Sequence, residues 1–288
     1  MGRRTSVGGR RLSILSDIKD SRELVRNLTM REVKGKYKRT VLGQLWSLAN
    51  PLAAMLVYSF VFRFVIRVQP DAGDPSGLDV FALWLMCGLL PWSFFTNVVN
   101  GGMIALVGNE NLIKKVYFPR SALVISSALA WLYSWSIEMV VLVAAILLFG
   151  GHPLIWIVPT ILLMVLLAMF STGVSMMLSV ANVYFRDTQH LVSILFQVWF
   201  YANPIVYPAS MVARESEKLG PIIGDITVLD LYRLNPFYYF IEAFRNLLYD
   251  NRMPDATTIG VVLILSLLVL ALGWRVFGRN QARLAEAL

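Results

Sequence analysis

Glu138 is the lone charged residue in the apolar run 121–149. Trp131 and Trp135 precede it by seven and three residues and fall on its helical face, with Ser134 four residues back. An ionisable group at membrane depth is a functional candidate by default. The plainer reading is a carboxyl satisfied by Ser134 and the indole N–H groups inside a packed bundle. A second chemical feature is the cation cluster Arg31, Lys34, Lys36, Lys38 and Arg39 around Tyr37. It suits lipid phosphates at about 1 kcal/mol per charge, or serves only to retain this segment on one side of a membrane. A third is two aromatic stripes at helical spacing: Met55, Tyr58 and Phe62, then Phe196, Trp199, Phe200 and Asn203. Aromatic faces stack on the C–H faces of sugars, which suits a path for a carbohydrate; ordinary core packing is the commoner reason for such stripes.

Several chemistries are excluded. One cysteine rules out an intrachain disulfide, and two histidines without a Cys cluster make a zinc site improbable. No Gly-x-x-x-x-Gly-Lys-Ser/Thr phosphate loop occurs, nor an acidic pair for metal-assisted glycosyl transfer, nor a Ser/His/Asp set. No cofactor is expected in this chain, and any energy for work must come from another subunit.

The elements that must position these residues are membrane helices. The chain has 288 residues, 57% of them apolar and 15% charged, too little polar material to cover a water-soluble surface. About 20 apolar residues cross a bilayer. Six segments qualify: 45–66, 80–99, 121–149, 154–180, 191–207 and 259–277, the fifth expected to end in a break at Asn203-Pro204. The expected fold is therefore an all-α integral membrane protein, divided into a cytoplasmic N-terminal segment 1–44, a permease domain 45–277 and a cytoplasmic tail 278–288.

Charge sets the orientation. Residues 1–44 carry twelve Lys/Arg and four Asp/Glu, and the other 244 residues carry fourteen of each, so the whole net charge of +8 lies before the first span. By the positive-inside rule both termini are cytoplasmic in a plasma (inner) membrane, and the charge excess reports topology rather than nucleic acid. Arg63 and Arg67 at the outer end of span one snorkel. Within 12–33, Ile14, Ile18, Val25 and Leu28 share one face, suiting a helix on the membrane surface. The loop after span two places Leu112, Ile113, Val116 and Tyr117 at helical spacing with Lys114 and Lys115 facing away and Pro119 as a stop, either a docking helix for a partner or a surface-lying loop. Arg186 and Asp187 in the next cytoplasmic loop are adjacent and so bond a neighbour or a partner rather than each other. The 208–255 segment is too long for a turn and too apolar for a plain loop, so short re-entrant helices lining a cavity are expected there.

Five blocks in order around these spans carry a family resemblance. They are Tyr37-Lys-Arg-Thr-Val-Leu-Gly-Gln-Leu-Trp-Ser-Leu-Ala-Asn-Pro-Leu52, Asn111-Leu-Ile-Lys-Lys-Val-Tyr-Phe-Pro-Arg120, Val183-Tyr-Phe-Arg-Asp187, Tyr201-Ala-Asn-Pro-Ile-Val-Tyr207 and Leu234-Asn-Pro-Phe237. With them the chain resembles, over almost its whole length, the membrane permease of ABC exporters for lipid-linked polysaccharides, the group that includes O-antigen, teichoic acid and mycobacterial galactan exporters.

The resemblance implies a unit of two copies of this chain and two ATPase subunits that bind ATP and Mg. It implies that Asn111, Leu112, Ile113, Lys114, Lys115, Val116, Tyr117 and Phe118 form a coupling helix seated in the ATPase, near Arg186 and Asp187. It makes the surface helix and a re-entrant segment around Asn203, Pro204, Tyr207, Asn235, Pro236 and Phe237 expected features. The cargo it implies is a polyprenyl-diphosphate-linked glycan, with the basic N-terminal cluster at its entrance and Met55, Tyr58, Phe62, Phe196, Trp199 and Phe200 along its path. Arginine outnumbers lysine nineteen to seven, a composition like that of high-GC actinobacteria, which puts galactan first among cargoes. The alternatives are a permease for a small lipid or drug and, from another class, a membrane glycosyltransferase.

Overall fold

The computed structural model describes residues 22–36, 38, 40, 43–67, 70–116, 118–221, 224–225 and 227–284. The expectations for Ile14, Ile18, Tyr37, Arg39 and Tyr117 lie outside the described residues. Everything regular within them is helical. In hydrocarbon the helix is the one open-chain structure that pairs all of its own backbone groups, so long apolar runs have no alternative.

The N-terminal helix α1 spans Arg22–Lys36. Span one is α2, Trp46–Tyr58, continued without a break by a π-helical stretch, Ser59–Val65. Then come α3 (Phe81–Val107), the short α4 (Glu110–Lys115), α5 (Ser121–Leu148) and α6 (Ile157–Tyr184), the last led in by a 3-10 turn at Pro153–Trp156. After them lie α7 (Thr188–Tyr201), three short helices α8 (Ala209–Leu219), α9 (Val228–Arg233) and α10 (Pro236–Arg245), a π-helical turn Asn246–Asp250, and α11 (Ala256–Asn280).

Five of these helices are long and apolar enough to cross a membrane: Trp46–Val65, Phe81–Val107, Ser121–Leu148, Pro153–Tyr184 and Ala256–Asn280. The segment expected as the fifth crossing is shorter than predicted. Its helix has 14 residues, a rise of about 21 Å against the roughly 30 Å of a hydrocarbon core. Pro204 cannot donate a helical N–H and biases Asn203 away from helical geometry, so the chain turns at Ala202.

The bundle is built around α3, buried on nearly all sides by α5, α6 and α10. Without water to drive helices together, close approach and interhelical hydrogen bonds set the packing. Ser175 Oγ donates to the Val98 carbonyl at 3.2 Å and Asn182 Nδ2 to the Met103 carbonyl at 2.9 Å, both from α6 to α3. α6 and α11 cross at Gly173 and Gly273, where a Cβ on Gly273 would overlap the Gly173 backbone and one on Gly173 the backbone of Val269. By contrast α2 and α7 rest on the bundle by one side only. Leu56, Phe60 and Phe64 of span one, and Leu191, Ile194 and Val198 of α7, are exposed.

A second, smaller core joins Val25 and Leu28 of α1, Ile113 of α4, Leu123 of α5, Val183 of α6 and Phe277 of α11. It collects the N-terminal helix, the α3–α5 connection and the end of the last helix at one end of the bundle. Arg31 Nη2 donates to Asn109 Oδ1 at 2.8 Å, and Arg120 Nη1 donates to the Gln281 carbonyl. Loop 70–79 lies at the opposite end, where the Ser76 N–H donates to the Asp250 carbonyl at 3.0 Å.

Gly273→Leu is expected to destabilise the detergent-purified protein by about 3 kcal/mol or more, since a backbone neighbour cannot move aside. Ser266→Ala, deep in the same helix but bonded only to its own Val262 carbonyl, is expected to leave the melting temperature nearly unchanged.

Candidate functional site

The end of α7 is where the sequence breaks its own helix, and six of the carbonyls released there, from Trp199 to Asn203 and at Ile205, acquire a donor. Asn203 Nδ2 donates to the Trp199 carbonyl at 2.6 Å, the Tyr207 hydroxyl to the Tyr201 carbonyl at 2.6 Å, and Asn235 Nδ2 to the Ala202 carbonyl at 3.1 Å. The Asn203 N–H serves the Phe200 carbonyl and the Ile205 N–H serves that of Asn203. Arg245 Nη2 donates to the Ile205 carbonyl at 3.0 Å. Such pairing is what irregular backbone inside a membrane bundle requires.

Asn235 is the centre of this arrangement. Its Nδ2 also donates to Asn203 Oδ1 at 2.8 Å, while its Oδ1 accepts from Trp199 Nε1 at 3.0 Å and caps α10 by accepting from the Phe237 N–H at 3.1 Å. The Asn-Pro pairs at 203 and 235, 32 residues apart, are thus bonded to each other. Pro236 occupies the first turn of α10, where a missing N–H costs nothing. Phe237 is buried with its ring edge-on to Trp92 at 5.0 Å. Two members of this network escaped the sequence reading. Arg245 is fully buried with its guanidinium 3.6 Å from the centre of the Trp84 ring, and Tyr232 donates to the Tyr207 hydroxyl at 3.2 Å. Their signal was a lone Arg in the apolar stretch 236–249 and a Tyr three residues before an Asn-Pro, neither distinctive in one dimension.

Beside this network a cavity of about 450 Å³ opens between α2, α3 and α7. Tyr58, Trp92, Phe196, Phe200 and Tyr201 wall it, with Tyr58 stacked on Phe200 at 5.5 Å between ring centres. Four uncharged polar side chains share the wall: Thr96 and Asn100 of α3, Ser193 and Gln197 of α7. Of the six expected path residues, Tyr58, Phe196 and Phe200 line this cavity. Met55 lies instead along a narrow apolar groove with Leu52, Leu90 and Glu138, Phe62 packs on the main core, and Trp199 is held in the Asn235 network.

The coupling element is also redistributed. A helix was expected over Asn111 to Phe118; its helical part is six residues, Glu110–Lys115, and Val116 is already extended. Ile113 turns inward and is 6% exposed, whereas Val116 is 52% exposed, so the expected apolar face is split between the second core and the surface. Leu112 and Phe118 pack against that core in part, and Asn111 is exposed. Lys114 pairs with Glu110 at 2.6 Å and Lys115 is exposed. The Lys114 ammonium holds the Glu110 carboxyl below its usual range, and Arg186 adds to this from the neighbouring loop. That brings Arg186 and Asp187 to the same end of the bundle as α4.

The cations of the N-terminal cluster have separate fates. Arg31 bonds Asn109 and Glu32, and Lys34 and Lys38 are exposed. Lys36 points inward, its Nζ buried 2.7 Å from the centre of the Trp131 ring without a hydrogen-bond partner among the described residues. Burial pushes the Lys36 amine down to about 7, an effect the Glu138 carboxylate opposes. Glu138 itself is not satisfied as expected: Ser134 Oγ donates to the Ala130 carbonyl and Trp135 Nε1 is buried with no partner among the described residues. The indoles stack and pack rather than donate, Trp135 lying on Phe94 at 4.2 Å.

Membrane-length helices thus surround a polar and aromatic cavity, the layout of a membrane permease. Residues 23–249 match the family described as ABC-2 type transporter, and the chain belongs to that family as a multi-pass transporter membrane subunit, not an enzyme. It is 28% identical over 278 residues to the O-antigen export system permease protein RfbA of Myxococcus xanthus, covering 96% of this chain and 100% of the relative. It is 29% identical to RfbA of Klebsiella pneumoniae, covering 91% and 93%, and 21% identical to the polysialic acid transport protein KpsM of Escherichia coli, covering 91% and 95%.

Asn235→Leu is expected to strand Trp199 Nε1, the Ala202 carbonyl and Asn203 Oδ1, at about 1–3 kcal/mol for each buried group left unpaired. The measurements are thermal stability and tryptophan emission, which should fall and shift to the red. For Lys36 the amine in the docked helix binds its proton less tightly than in the free chain, at about 7 against 10.5. Docking of α1 should therefore strengthen as pH rises from about 7 towards 10.5 and be weakest below 7. Lys36→Met should remove this dependence, read as α1 hydrogen exchange referenced to unstructured peptides at each pH.

Proposed function

We propose that the chain is the membrane-spanning subunit of an ATP-driven exporter that carries a polyprenyl-diphosphate-linked polysaccharide across the plasma (inner) membrane, galactan first among cargoes and O-antigen or teichoic acid next. The observation that carries this reading is the cavity between α2, α3 and α7, where Tyr58, Trp92 and Phe200 offer faces to sugars beside four uncharged polar groups. The near full-length likeness to export permeases named for O-antigen supports the cargo class.

Six crossings are part of the proposal. The N-terminal helix and the end of α11 meet at one end of the bundle through Arg31, Asn109, Arg120 and Gln281, which supports an even number of crossings between them. Five long helices then leave α7 and its turn to Tyr207 as the sixth. The basic N-terminal segment puts that end, and both termini, in the cytoplasm. Residues 45–277 form the permease domain between the segment 1–44 and the tail 278–288, and α8, α9 and α10 are the re-entrant outer segment.

The working unit is two copies of this chain with two ATPase subunits, which hold the ATP and Mg. Val116, Lys115 and Asn111 meet the ATPase directly, with Arg186 and Asp187 beside them, while Ile113 passes the displacement into the core shared by α1, α6 and α11. The glycan's diphosphate enters near Lys34, Lys36 and Lys38, and movement of α2 and α7, each held on one side only, lets the glycan advance.

Copurification separates these roles. Val116→Asp is expected to cut capture of the ATPase by roughly tenfold while the permease stays folded, because an exposed contact is charged without touching the core. Tyr58→Ala should keep the complex and lower glycan export. A wild-type permease that captures no ATPase, or export unchanged in both variants, overturns the proposal.

A further inference from the structure

The cavity wall is chemically uneven in a way that the sugar path does not require. Thr96 and Asn100 stand four residues apart on α3, and Ser193 and Gln197 four residues apart on α7, so each pair forms a vertical row on its helix. Thr96 Oγ1 donates to the Trp92 and Ser93 carbonyls, and Ser193 Oγ donates to the Gln189 carbonyl at 2.8 Å. With their protons committed to their own helices, both hydroxyls present lone pairs and act as acceptors. Asn100 Oδ1 has no hydrogen-bond partner among the described residues although it is buried, and Gln197 is exposed with its amide unengaged there. Two acceptors and two amides, each amide both donor and acceptor, match ring hydroxyls, each of which both gives and takes a hydrogen bond. Among the described residues, no charged side chain lines the cavity.

Resting on the exporter reading above, we propose that this cavity is a binding subsite for neutral sugar units, gripped between the aromatic faces and the polar rows Thr96, Asn100, Ser193 and Gln197. A volume of about 450 Å³ falls within the usual range of small-ligand sites. An acidic polysaccharide is disfavoured, since a carboxylate at each sugar would enter a half-apolar site where no described lining residue is a cation to meet it. A site built on hydrogen bonds to hydroxyls also discriminates strongly against chains that lack them at the matching positions.

The test uses the permease–ATPase complex in nanodiscs with Ser193→Cys as a reporter, its thiol labelled by a maleimide; Cys87 is buried and adds no background. Galactan or dextran fragments of several sugars are expected to slow labelling severalfold, and α2,8-linked sialic acid oligomers of equal length to leave it unchanged. Asn100→Leu with Gln197→Leu in the same background should weaken the protection by about tenfold. Equal protection by the sialic acid oligomers, protection that survives the double substitution, or protection by neither neutral glycan overturns the subsite. The exporter reading fails separately, through loss of ATPase capture or through export indifferent to Tyr58→Ala.

Discussion

A backbone carbonyl inside a membrane bundle has no water to turn to, and the chain leaving α7 exposes several at once. The Asn203, Asn235, Tyr207 and Arg245 side chains supply the donors. The rest of the bundle's shape depends on this repair. It ends α7 after 14 residues, sends α8 and α9 away from the bundle, and lets α10 insert its Phe237, Phe240 and Phe244 rings into the main core. Without paired carbonyls the chain could not turn at that depth, and α10 could not occupy the space beside α3.

The same repair decides which aromatic side chains remain available. Trp199 is drawn out of the cavity wall because Asn235 Oδ1 takes its N–H, whereas Phe196 and Phe200 on the same helix face Tyr58 and Trp92. At the other end of the bundle a comparable economy holds. Arg31 and Arg120 fasten the α3–α5 connection to α1 and α11. At the end of α1 the buried Lys36 amine lies against Trp131 near Glu138.

Much of this was legible in one dimension, for reasons that differ by element. Residues 121–149 and 154–180 read as helices because an apolar run of that length has one stable form in lipid, and the observed bounds differ by a few residues. Val25 and Leu28 declared one apolar face of α1 by their spacing, but the structure turns that face into the second core, where a helix on the membrane surface was expected. The coupling element was misread in its details. Leu112, Ile113 and Val116 recur at helical spacing, but spacing cannot tell a face turned to a partner from one turned to the chain's own core, and Ile113 took the second course. Glu138 was located correctly as a buried carboxyl, while its neighbour proved to be Lys36, about a hundred residues earlier in the chain and invisible to local pattern.

The sequence by itself determined the environment: too few charges for water, membrane-length apolar runs, an excess of cations confined to residues 1–44, and a helix stop at Asn203-Pro204 with a further Asn-Pro pair at 235. These follow from composition and from local backbone chemistry, which act over a turn or two of chain. Only the tertiary structure decided that Asn203 and Asn235 bond each other, that Arg245 stacks on Trp84, and that Thr96 and Asn100 share one cavity with Ser193 and Gln197. Those pairings join residues far apart in the chain, and they depend on hydrogen-bond geometry and close helix contact, which no linear pattern of residue types encodes.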